Sequence, residues 1–256
     1  MTRYRRTGFT LIELLVVVSI IGVLMAVLVP ALGRAREQAK FVRCKANLKS
    51  YGVLALMYID DNDGIMPSAW TSFYNSHQEY RGEPHRYCRW HNPDYDLEQH
   101  PEYAGPFWRY LKGKDIHICP SFPKIAKRYG PVHPEHVDGV PIVPNYSYSM
   151  NSYLGSTENT PKSMTGIKRH SEVFFFGEEN LWITAPYNRY AFNDTAMCVY
   201  QQWDSFGTFH LTRDPEEGVV NAVFLDGQVQ TVHREDSWRY CAPDGASKSP
   251  LNDQAL

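Results

Sequence analysis

An α+β fold is predicted for this 256-residue chain: one long N-terminal helix packed on a C-terminal antiparallel β-sheet head. Three observations predict it. Twenty uncharged residues, Leu14 to Gly33, follow a short basic start. Beyond them, apolar residues recur at Phe41, Cys44, Leu48, Tyr51, Ala55 and Tyr58, steps of three and four that mark one face of a helix. Near the other end, VVNAVFLDGQVQTVHR places two strand-like runs around Asp226-Gly227, the preferred chemistry of a two-residue hairpin turn.

Helix from Phe9 to about Ile59 would be ~75 Å long at 1.5 Å per residue. Its first half is apolar all round, and about 20 apolar residues suffice to cross a bilayer. The second half is amphipathic, with Lys45, Asn47 and Lys49 opposite the apolar stripe. Pro30 lacks an N–H and is expected to kink the rod, with Gly22 a second soft point. A simple anchor followed by a separate helix would instead break near Gly33. The run stops at DDNDG, where Asp60, Asp61 and Asp63 would oppose the helix dipole and are therefore expected beyond the last turn.

Glu13 is the anomaly. A carboxylate at the head of a membrane-length segment is costly unless something uses it. The start MTRYRRTG carries Arg3, Arg5 and Arg6 and no acid, which suits a secretory signal or a plain signal anchor. Neither gives Glu13 a role. The stretch Gly8-Phe9-Thr10-Leu11-Ile12-Glu13, however, resembles the processing site of type IV prepilins and type II secretion pseudopilins. That resemblance implies a leader of residues 1–8, cleavage between Gly8 and Phe9 by a prepilin peptidase, and methylation of the new Phe9 amine. It further implies that the Glu13 carboxylate neutralises the terminal ammonium of a neighbouring subunit in a filament, since a buried charge is retained only when paired.

The implied organisation is a leader (1–8), a transmembrane and filament-core helix (9–33), an amphipathic continuation (34–60) and a globular pilin-like head (61–256). Implied partners are the peptidase, other pilin-like subunits in a homo- or hetero-polymer, an inner-membrane assembly platform and membrane lipid. The implied location is the inner membrane, single-pass, with the head in the periplasm or at the cell surface after assembly. Charge alone does not orient the chain, because Arg34, Arg36, Lys40, Arg43, Lys45 and Lys49 outnumber the leader arginines.

A net charge of −2 gives no basic field, so no nucleic acid partner is expected. The 17 Tyr, 12 Phe and 6 Trp suit a β-rich body and argue against disorder. None of the five cysteines forms a CxxC pair, which signals neither a zinc ribbon nor a thioredoxin site. Cys44, on the helix face that meets the head, and Cys119, in HICPSFP, are candidates for a disulfide across that contact, one of the pairings that the five cysteines leave open. The alternative is that Cys44 is simply a small buried residue of the stripe.

Residues 64–145 read as long loops with short helices or strands, and EVFFFGE (172–178) as a short apolar run with strand character. The hairpin segment also resembles a bacterial family with prepilin-type N-termini and a C-terminal signature of His, nine residues, then Asp-Gly. Asp226 and Gly227 match it, and so do CKANLKSYGVLALMYIDDNDG and HICPSFP in character. His210 is the corresponding histidine, although fifteen residues rather than nine separate it from Asp226.

Metal-like spacings occur at Cys88/His91 and His133/His136, but ordinary surface histidines explain them, and the metal ligands are left unassigned. DDNDG is not an EF-hand, because Ile59 would fall at its first ligand position. No cofactor is expected; a structural calcium of the irregular kind seen in some pseudopilin heads is left open, with Asp226 a candidate. No GxSxG elbow accompanies the histidines, and a His210/Asp226 pair lacks a nucleophile, so no enzyme is expected. The function expected is that of a structural subunit of a type II secretion or type IV pilus-like filament. The alternative is a membrane-anchored ligand- or carbohydrate-binding protein that uses prepilin-type processing.

Overall fold

The computed structural model describes residues 10–74, 97–132, 142–156, 162–180, 195–197, 199, 206–210 and 218–241. Cys88, His91, His133, His136 and Cys198 lie outside the described residues. Helix α1 spans Leu11–Asp61 and passes through Pro30 and Gly33 as one element. The alternative of a break near Gly33 is therefore not what the chain does. Proline removes one backbone N–H, and the good helix formers on either side keep the remaining ladder.

The chain divides into two compact units, residues 1–39 and 40–256. In the first, α1 is long and apolar enough to cross a membrane, by length and composition. Its apolar side chains from Leu11 to Leu32 are exposed. The Ser19 hydroxyl donates to the Leu15 carbonyl at 2.7 Å, so this polar group is satisfied within the helix.

In the second unit, Phe41, Cys44, Leu48, Tyr51 and Ala55 are buried as the period requires, and Leu54 and Ile59 join them. Asn47 departs from expectation: it is buried rather than on the polar side. Its amide donates to the carbonyls of Asp115 and Ile118 at 3.4 and 3.2 Å, and these bonds make the burial tolerable. Asp60 and Asp61 also depart, since they belong to the last helical turn. The Tyr110 hydroxyl donates to Asp61 Oδ2 at 2.8 Å and offsets the unfavourable dipole. Asp63 then turns left-handed (φ 53°), and Gly64 N–H reaches back to the Ile59 carbonyl at 2.9 Å. This is a Schellman-type stop with aspartate where glycine is usual.

Among the described residues the head holds one five-stranded sheet and one further α-helix, α2 (Phe122–Tyr129). The strands are β1 (Tyr148–Asn151), β2 (Phe174–Glu178), β3 (Ala196–Met197), β4 (Val219–Phe224) and β5 (Val229–His233), in the order β3-β1-β2-β4-β5. Pairing is antiparallel as expected, except that the short edge strand β3 runs parallel to β1. Both faces are covered. Tyr51, Tyr148, Phe175, Phe176 and Val223 belong to the cluster that includes α1. Phe174, Val220, Ala222 and Phe224 pack with Phe206 and Cys241 in a second cluster. A register shift between Phe174 and Phe176 lets Phe175 and Phe176 join the same cluster, where strict alternation would separate them.

The β4–β5 hairpin corrects one expectation. Val223 pairs with Val229, and the Phe224 N–H reaches the Gln228 carbonyl at 2.9 Å, so the loop is Leu225-Asp226-Gly227, three residues rather than two. Gly227 takes the left-handed conformation (φ 79°) that closes a type I turn into a bulged hairpin. Asp226 Oδ1 accepts from Gln228 N–H at 2.9 Å. On the helix side, Lys49 Nζ donates to the Gly227 carbonyl at 2.7 Å.

Gly52 brings α1 onto this hairpin: a Cβ there would stand 2.6 Å from Val223 Cγ2. Gly52→Leu should therefore destabilise the head by about 1–3 kcal/mol, the range for overpacking a tight contact, although leucine is the better helix former. Thermal unfolding of the detergent-solubilised protein checks this, and a midpoint equal to or above that of the parent would disprove the close contact.

Candidate functional site

Two places carry chemistry that the fold does not by itself require. The first is the start of α1. The Thr10 N–H and hydroxyl both donate to Glu13 Oε2, at 2.8 and 2.7 Å, and Glu13 N–H donates to Thr10 Oγ1 at 3.2 Å. This reciprocal arrangement is a capping box. It satisfies orphan donors of the first turn and gives Glu13 a local use within a single chain. Gly8 and Phe9 lie outside the described residues.

The second place is a buried polar cluster in the head. Four segments supply it: Cys44 from α1, Cys119 from the loop before α2, Glu178 from the end of β2 and His210 from the segment bridged to β4. Glu178 Oε1 lies 2.9 Å from both Cys44 Sγ and His210 Nε2, and Cys119 Sγ lies 3.2 Å from His210 Nε2. Glu178 Oε2 accepts from Asn221 N–H at 3.0 Å. The Tyr148 hydroxyl points at Cys44 Sγ (3.4 Å), and Ser121 Oγ is 3.5 Å from His210 Nδ1. None of the four residues is more than 2% exposed.

Burial opposes a charged imidazole at His210. The Glu178 carboxylate beside it, with hydrogen bonds that the ring shares with Cys44 and donates to Glu178, outweighs that and raises His210 to about 10. Burial likewise pushes the Cys119 thiol well above its usual value, and contact with Cys44 and the charge of Glu178 push it further. A positively charged His210 is thus held against the Glu178 side chain, with the Cys119 thiol protonated beside it. Nearby, His117 shares a 2.6 Å hydrogen bond with the Tyr51 hydroxyl, and burial lowers its pKa to about 3, so it stays neutral.

Several expected residues fall differently from the sequence reading. Cys44 and Cys119 do converge, but as free thiols and not as a disulfide, because each sulfur has a carboxylate or an imidazole as its near partner. His210 is brought into the cluster, while Asp226 is exposed in the hairpin loop and engaged with Gln228. The carboxylate that faces His210 is Glu178, which sequence reasoning missed. Its signal was an acid closing the apolar run FFFG inside a strand. A buried acid there needs a partner.

Comparison with known proteins agrees with the N-terminal chemistry. Residues 3–29 match the family model described as the prokaryotic N-terminal methylation motif. The chain is also similar to type II secretion system core protein G of Pseudomonas aeruginosa, 42% identical over 62 residues. That match covers 24% of this chain and 44% of the relative, so the chain spans less than half the length of that protein. No solved structure matches. The chain thus joins a prokaryotic N-terminal methylation motif to a long helix whose second half packs within an α+β head, and its likeness to the pseudopilin covers a quarter of its length.

Proposed function

We propose that the protein is a structural subunit of a type II secretion or type IV pilus-like filament. A prepilin peptidase removes residues 1–8 and methylates the amine of Phe9. The apolar half of α1 then holds the chain in the inner membrane, single-pass, with the head on the periplasmic side. Assembly transfers that apolar half from lipid to the company of other pilin-like helices, and the platform in the inner membrane drives the exchange. Glu13 supplies the charge that matches a neighbour's Phe9 ammonium. No catalytic step is assigned to the head.

One observation carries this reading: the methylation motif on residues 3–29 leads without interruption into a helix whose apolar side chains, from Leu11 to Leu32, are exposed. Apolar surface of that extent requires lipid or other helices to cover it. The decisive experiment is mass spectrometry of the mature N-terminus from native membranes. A chain beginning at N-methylated Phe9 is expected, and Gly8→Leu should leave the full-length precursor. A mature protein beginning near Arg34 would instead make the apolar segment a cleaved secretory signal.

A further inference from the structure

We propose that Cys44, Cys119, Glu178 and His210 bind one zinc ion in a closed tetrahedral site within the head. The four donor atoms lie within 4.8 Å of one another, and the nearest pairs are 2.9–3.2 Å apart. Around zinc, with bonds of about 2.0–2.3 Å, the edges of a tetrahedron measure ~3.3–3.8 Å. Adjustments that open the short pairs and draw in the longer ones, each of about an ångström or less, bring the four donors to those edges.

The donor set selects the metal. Two thiolates and an imidazole are soft or borderline ligands that calcium and magnesium do not favour, while the carboxylate is harder than copper(I) prefers. Zinc accepts all three types and has no geometric preference of its own to contradict a tetrahedron. The outer contacts are those a metal site needs: Asn221 N–H holds the free oxygen of Glu178, Tyr148 addresses Cys44, and Ser121 stands beside the second nitrogen of His210. Four protein ligands fill the coordination sphere and all are buried, so no position is open for substrate. The site is structural. It ties α1, the loop before α2, β2 and the segment ahead of β4 at one point, joining parts far apart in sequence. On binding, zinc displaces three protons to solvent, two from the thiols and one from His210 Nε2, and is held by Cys44 and Cys119 as thiolates and by a neutral His210 imidazole.

The inference is independent of the filament proposal, since it concerns only the head. Its test uses the full chain purified from membranes in detergent, without chelator. Elemental analysis should find about one zinc per chain. After removal of zinc, cobalt(II) should restore the site with thiolate-to-metal charge transfer and the intense d–d bands of a tetrahedral complex. The paired substitution Cys44→Ser and Cys119→Ser should lower bound zinc at least tenfold and abolish the charge-transfer band. Should that variant fail to fold, the cobalt spectrum of the parent decides alone. Parent protein with both thiols reduced, no zinc and no cobalt bands would overturn the proposal, as would a Cys44–Cys119 disulfide found by peptide mapping without reduction.

Discussion

Glu13→Gln is expected to leave the start of α1 intact and still to lower filament incorporation by at least about 100-fold, the scale set by leaving one partner of a buried charge pair uncompensated. The observed cap and the proposed assembly role of the residue separate in this variant. Glutamine at the third helical position can reach back to the Thr10 N–H as glutamate does, so the capping box survives. It carries no charge, and cannot neutralise the ammonium of a neighbour's Phe9. Glu13→Ala removes both roles, so it should fray the first turn as well as fail to assemble. Membrane insertion and Gly8–Phe9 cleavage should persist in both, because a more apolar segment anchors at least as well. The measurement is mutant protein in sheared and membrane fractions, after co-expression with the native assembly machinery. Wild-type incorporation of Glu13→Gln would reduce the residue to a helix cap.

Tyr51→Ala should produce the largest loss of stability in the head, about 3–5 kcal/mol by analogy with truncation of a buried large aromatic. Tyr51 is fully buried on α1. Its ring lies 4.6 Å from Phe73 and 5.2 Å from both Tyr148 and Phe176, centroid to centroid. Its hydroxyl also shares a hydrogen bond with Nδ1 of His117, which burial keeps neutral. Truncation opens a cavity between helix and sheet and strands that imidazole at once. Tyr51→Phe keeps the packing and loses only the hydrogen bond, for which about 1–3 kcal/mol is expected. Denaturant unfolding of the solubilised protein, followed by near-ultraviolet circular dichroism, should rank them parent, Phe, Ala. Equal midpoints for Phe and Ala would place the whole effect in the hydrogen bond and refute the packing account.

Much of the architecture was legible because it rests on periodicity. The stripe from Phe41 to Ala55 is set by the helical repeat, and helices bury what their repeat aligns. FFFGE was readable instead as a short apolar run, and the hairpin from its Asp226-Gly227 turn chemistry. The exceptions share a cause. Asn47 is buried because carbonyls at Asp115 and Ile118, some seventy positions away, stand ready to accept its amide. Asp60 and Asp61 end inside the helix because Tyr110 comes to meet Asp61. In each case a long-range hydrogen bond reverses a local preference of about one kcal/mol.

For the functional residues the division is sharper. The sequence by itself determined the N-terminal methylation motif, since Gly8 through Glu13 and the apolar run form one contiguous pattern that does not depend on the rest of the chain. It also offered Cys44 and Cys119 as partners across the helix–head contact, beside the alternative that Cys44 is a small buried residue of the stripe. Only the tertiary structure decided what they meet. Glu178 and His210 come from two further segments, and the four residues span positions 44 to 210 with no shared spacing. Strand pairing and the packing of α1 bring them together, and a sulfur's choice between a second sulfur and a metal-ligating set is settled by which atoms stand within about 4 Å, a quantity that sequence separation does not encode.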